Sequence, residues 1–171
     1  MHNGNVEGFL GFRRQVLASL SDERFQFIRG TTDSETVFAL FLDAYAEASN
    51  GSATERLASA LKHAVAKICQ FADDAGVTGS TFLNLAVSDG ENAVTCRYVH
   101  RGDVAHSLFY QTGKRYFCDD DGICHLLDSG DGRTATLVAS EPLAEGAKWA
   151  EVPQNHLLLL PGAGDVELLA F

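Results

Sequence analysis

The apolar pattern of this 171-residue chain changes its period once, and that change limits the folds open to it. Up to Asp74 apolar residues recur every three or four positions, and after Gly76 they alternate with polar ones. A chain written this way makes helices first and strands second. A helix stripe and a sheet face are buried most simply against each other. The expected class is α+β, with helices layered on an antiparallel sheet.

Three helices are expected. The stretch VEGFLGFRRQVLASL carries Phe9, Phe12, Val16 and Leu20 at helical spacing with Arg13 and Arg14 opposite, and predicts an amphipathic helix over residues 6–20 despite two glycines. In GTTDSETVFALFLDAYAEA either Asp33 or Ser34 can cap a second helix. Glu35 lies in its first turn as an ordinary helix-start charge, and Val37, Phe38, Phe41 and Leu42 form its apolar face. The breaker Asn50-Gly51-Ser52 precedes a third helix over 53–74, with Leu57, Leu61, Ala64, Ile68 and Phe71 on one stripe.

The strands begin with STFLNLAVSDG and NAVTCRYVH, joined at Asp89-Gly90-Glu91 in a hairpin signal. HSLFYQTG, RYFCDDDGICHLL, RTATLVASEPL, NHLLLLPG and DVELLAF continue in strand character, each bounded by Gly, Pro, Asp or Asn. No repeat or low-complexity linker divides them, so residues 1–171 read as one domain.

Composition excludes several function classes. Acidic residues outnumber basic ones 23 to 13, for a formal charge of -10. Nucleic acid and anionic membrane both demand a basic face that displaces counterions, so neither is an expected partner. No apolar run is long enough to span a membrane and no secretion signal is present, which predicts a cytoplasmic protein. Cys69 falls in the helical pattern and Cys96 in a strand, both as small buried hydrophobes. Cys118, Cys124 and His125 in CDDDGICH lack the paired spacing of a zinc site and read as a hairpin with an acidic turn and two incidental thiols. No metal or other cofactor is expected.

The remaining chemistry is sparse. Asn3-Gly4 is a common turn dipeptide. Asp33 is a carboxylate at a helix start, and Ser140 and Glu141 end a strand. Arg97 and Tyr98 read first as an ordinary sheet-surface pair, with the lining of a pocket as the alternative. His63, His100, His106, His125 and His156 have no carboxylate or serine at a telling spacing, and read as surface or structural.

Taken in order, HNGNVEGF, GTTDSE, LNLAVSDGENAVTCRY, SLFY, ASEPL and WAEVPQNHLLLL resemble the class II glutamine amidotransferases. The likeness is to their small stand-alone branch, similar to the ergothioneine-pathway γ-glutamyl hydrolase and the yeast glutathione-degradation amidotransferase. It covers nearly all of the chain. The resemblance implies an N-terminal-nucleophile hydrolase fold, an αββα sandwich. It also implies attack on the γ-amide of glutamine or a γ-glutamyl compound by a cysteine whose own α-amine is the base. Carried over by position, Asn3 and Gly4 become the oxyanion-hole donors and Asp33 the anchor for the substrate α-ammonium. Ser140 and Glu141 fall where the family's active-site walls lie.

One part of the family pattern is missing. Its nucleophile and its carboxylate-binding arginine belong upstream of the HNG motif, where this chain has only Met1 and His2. The resemblance therefore implies a partial sandwich, lacking an N-terminal segment that would supply central strands of both sheets. Such a chain is expected to be catalytically inactive, and to aggregate, form homo-oligomers or require the missing piece. The alternative is a non-catalytic binding or regulatory protein on the same scaffold.

Overall fold

The structure is a computed structural model and describes residues 1–120, 124–128, 135–143 and 149–171. Its first element is a strand, β1 (His2–Asn5), in place of the expected turn at Asn3-Gly4. Two short helices follow, α1 (Phe9–Ala18) and α2 (Asp22–Phe27), then the longer α3 (Asp33–Glu47) and α4 (Ala53–Asp74). Strands β2 (Thr81–Ser88) and β3 (Ala93–His100) form the expected hairpin. The rest are β4 (Phe109–Thr112), β5 (Lys114–Cys118), β6 (Cys124–Asp128), β7 (Thr136–Ala139), β8 (Ala150–Glu151), β9 (His156–Leu160) and β10 (Glu167–Ala170).

Local chemistry explains where the helices differ from expectation. Helix α1 starts after Gly8, whose φ of 63° suits a residue without a Cβ, so Val6 and Glu7 stay outside it. Helix α2 has no buried residue and thus no apolar stripe to betray it. It is fixed by its cap, Ser21, whose backbone N–H and hydroxyl both donate to Asp43 on α3 at 2.9 and 2.6 Å. Neither Asp33 nor Ser34 caps α3. Thr32 does, its hydroxyl accepting the Glu35 N–H, which leaves Asp33 free for other contacts. Glu35 reaches back instead to the Arg29 and Gly30 N–H groups at 2.8 and 2.7 Å. Helix α4 begins with a complete capping box between Ser52 and Glu55.

Five strands make one antiparallel sheet in the order β1-β2-β3-β9-β10. The helices cover one face of it. Phe12, Val16, Leu40, Leu57, Leu61 and Ile68 pack there on Leu83, Leu85, Val94, Cys96, Leu157 and Leu159 in a single core. A second sheet, β7-β4-β8, packs on the opposite face, where Leu108 and Val152 meet Leu158. Helices, large sheet and small sheet form three stacked layers, so the α+β class holds. The large sheet runs unbroken from β1 to β10, with those two strands at its edges. An added strand would pair at an edge.

The β5–β6 hairpin places Cys118 opposite Cys124 in register. Cys118 is disulfide-bonded, and so is not an incidental thiol. The turn at 121–123 and the His125 side chain lie outside the described residues. Among the described residues no group of His, Cys, Asp or Glu could hold a metal ion, and no helix is long and apolar enough to cross a membrane.

Candidate active site

The phase of the β1–β2 ladder decides what β1 offers. Met1 and Ala86 exchange both backbone hydrogen bonds, N–H to O at 2.8 and 3.0 Å. In an antiparallel pair such residues alternate, so Asn3, opposite Asn84, is again a hydrogen-bonded pair, and its carbonyl points at β2. The Asn3–Gly4 peptide is trans, which turns the Gly4 N–H the other way, toward the open edge of the sheet. Gly4 has φ 148°, and a Cβ there would come within 2.0 Å of the Phe82 carbonyl oxygen. Only glycine fits.

Side chains alternate along the same strand. The His2 ring lies on the helical side, with Nδ1 2.8 Å from the Ser34 hydroxyl and Nε2 3.3 Å from the Phe82 carbonyl. Asn3 therefore stands on the opposite face, exposed, and next to the outward N–H of Gly4. A carboxamide and a backbone N–H thus converge from consecutive residues at one sheet edge.

Asp33 sits just beyond. Its Oδ2 accepts the Val6 N–H at 2.8 Å and its Oδ1 the Ser34 N–H at 2.7 Å. Oδ1 also accepts the Ser34 hydroxyl at 3.3 Å. These bonds fix the carboxylate against the residue that follows β1 and leave Oδ2 with an unused lone pair. On the helical side of β1 a cleft of about 400 Å³ is lined by Met1, His2, Ser34, Glu35, Phe38 and Leu85, among others.

Ser140 and Glu141 lie just past the end of β7, and both are exposed. The Ser140 carbonyl accepts the Ser107 hydroxyl at 2.7 Å, and the Ser107 carbonyl accepts Asn84 Nδ2 at 2.9 Å. Ser140 is thereby linked to the strand that pairs with Asn3. No comparable link joins Glu141 to this region among the described residues.

Arg97 corrects the expectation of a sheet-surface pair. It is only 8% exposed and lies between the two sheets. Its guanidinium donates to the carbonyls of His106 (2.8 Å), Val152 (2.8 Å) and Ala105 (3.4 Å) and pairs with Glu151 at 2.8 Å. Asn84, its neighbour on β2, is also buried, and its side chain was not singled out from the sequence as part of the site. A signal for Asn84 did exist: it is the lone amide between Phe82 and Ala86 on the strand's second face. The other predicted histidines behave as expected where described. His100 pairs with Asp73 at 2.7 Å, and the His106 ring packs 4.4 Å from that of Phe82.

No described thiol is suited to attack. Cys69 and Cys96 are free and buried, and burial pushes both thiols up to about 12. Neither carries a free α-amine.

The fold is thus a helical layer on two sheets, with a carboxamide, a backbone N–H and a carboxylate gathered at the edge strand β1. The chain belongs to the class II glutamine amidotransferases, whose family model, described as "Glutamine amidotransferases class-II", matches residues 1–170. Among curated proteins it is similar to the probable glutamine amidotransferase DUG3 of Saccharomyces cerevisiae. The two are 33% identical over 174 residues, which is 94% of this chain and 48% of the yeast protein. The chain thus spans about half the length of that relative. Among solved structures, a glutamine aminotransferase class-II domain protein from Silicibacter pomeroyi superposes with a TM-score of 0.74 at 27% identity, covering all of this chain and 66% of the other. A predicted glutamine amidotransferase from Pseudomonas aeruginosa shares the fold, with a TM-score of 0.60 at 23% identity over all of this chain and 59% of that one.

Proposed function

We propose that this chain carries part of the substrate cradle of a γ-glutamyl amidohydrolase. In this reading the γ-carbonyl of glutamine, or of a γ-glutamyl compound, lies against the open edge of β1. Asn3 Nδ2 and the Gly4 N–H receive the oxyanion that forms when a thiolate adds to that carbonyl. Asp33 takes the substrate α-ammonium in an ion pair, and the exposed end of β7 at Ser140 and Glu141 borders the bound molecule. Collapse of the tetrahedral adduct expels ammonia or an amine, and water then releases glutamate from the thioester.

The single observation that carries this is the outward Gly4 N–H beside Asn3 on an edge strand whose own ladder does not use it. Preorganised donors of this kind are worth roughly a hundred- to a thousand-fold in rate each. The same reading makes the 171 residues alone inactive. In this reading the thiol comes from outside them: among the described thiols Cys69 and Cys96 are buried, with burial pushing both up to about 12, and Cys118 is disulfide-bonded. We place the protein in the cytoplasm on the same basis as its substrate class, small water-soluble γ-glutamyl compounds.

The melting temperature, followed against glutamine concentration, tests the cradle. The wild-type chain should be stabilised and Asp33→Asn should not respond. Equal shifts for both proteins, or no shift for the wild type, would remove Asp33 and the cradle from the account.

A further inference from the structure

Asn3, Asn84, Arg97 and His156 stand opposite one another in register on four adjacent strands, β1, β2, β3 and β9. They make one polar row on the face that meets the small sheet, among apolar neighbours such as Leu158. Arg97 and Asn84 are both more than nine-tenths buried, at 8% and 6% exposure. Their donors are spent on the same connection: Arg97 on the carbonyls of Ala105 and His106, Asn84 Nδ2 on those of His106 and Ser107.

The Asn84 carboxamide is held by those two bonds at 3.4 and 2.9 Å, which also settles which of its ends is the oxygen. That oxygen, Oδ1, is buried and has no hydrogen-bond partner. Buried carboxamide oxygens are rarely left so. On one side of Asn84 in the row stands Arg97, committed to Glu151 and three carbonyls. On the other stands Asn3, exposed and carrying two N–H groups on the same face. Directly opposed side chains on one face are close enough to touch.

We infer that Asn84 is a positioning residue: its buried Oδ1, unpaired in this structure, is the acceptor that one N–H of the opposed Asn3 carboxamide reaches by side-chain rotation, which sets the other N–H for the substrate oxyanion. Arg97 and the connection at 105–107 hold Asn84 in turn, so the oxyanion donor on an exposed edge is braced from the interior between the two sheets. This rests on the reading of Asn3 as an oxyanion donor. It adds the reason an exposed amide can be preorganised at all.

Side-chain amide NMR of the uniformly ¹⁵N-labelled chain, with no ligand present, tests it. One Nδ2 proton of Asn3 should exchange about five- to tenfold more slowly than those of exposed Asn50, the factor expected of one ordinary hydrogen bond. In Asn84→Leu that protection should disappear while the Asn5 amide on the same strand keeps its shift and exchange rate. Asn84→Asp, which retains an acceptor, should recover part of it. Equal exchange of Asn3 and Asn50 in the wild type would overturn the inference, and this comparison needs no variant to fold. Parallel loss at Asn3 and Asn5 in Asn84→Leu would also overturn it, since a merely structural role loosens the whole strand. A negative result here leaves the glutamine titration standing, and failure of that titration leaves this hydrogen bond measurable.

Discussion

Gly4 shows how one residue can be constrained twice. Its φ of 148° and the 2.0 Å approach of the Phe82 carbonyl leave no room for a Cβ, while its N–H faces the open edge. Gly4→Ala must therefore move β1 away from β2 or break its geometry. It should cost roughly 1–3 kcal/mol of stability, the usual range for forcing a side chain into such a conformation, measured by urea denaturation. The dipeptide Asn3-Gly4 was legible in the sequence as special backbone, but as a turn, because turn and edge-strand glycines look alike without the partner strand. Asp33 was legible as a helix-start carboxylate. That Thr32 takes the capping duty, and that Asp33 instead receives the Val6 N–H, depends on where β1 ends and could not be read from spacing.

Elements with long apolar stripes were the most readable. Helix α4 matches its expected span at both ends because a capping box starts it and its stripe is continuous. Ser52→Ala should destabilise the protein by about 1 kcal/mol, the typical cost of losing an N-cap hydroxyl, in a denaturant titration. At the other end of α4, Asp73 accepts from His100 and Arg101 at 2.7 and 2.9 Å, joining the helix to the end of β3. Those hydrogen bonds hold its carboxyl below the ordinary carboxylate value. A depressed carboxylate stabilises the fold above its unfolded pKa, and that contribution is lost as pH falls through the folded value. Asp73→Asn should accordingly flatten the acid limb of the stability-against-pH curve and leave its shape near neutrality unchanged. Helix α2 was invisible for the opposite reason: six residues with no buried face are held by Ser21 and Asp43 rather than by a stripe.

For the whole molecule, the single change of apolar period was enough to give the layered α+β class, since a helical stripe and an alternating sheet have few ways to cover each other. It could not give strand order. The large sheet is continuous because β1, only four residues long and almost wholly polar, pairs with β2 across about eighty residues of chain. Alternation cannot report so short a strand. The interior between the sheets was missed for a related reason: Asn84 and Arg97 are polar residues in strands, and only the partner sheet shows that they are buried.

The central claim, that these residues carry part of a substrate cradle and not the attacking thiol, is tested most directly by ammonia release. The purified chain, incubated with millimolar glutamine, should release no more ammonia than buffer does. Steady turnover that survives further purification and vanishes in Asn3→Ala would contradict it, because a nucleophile would then have to lie within these 171 residues.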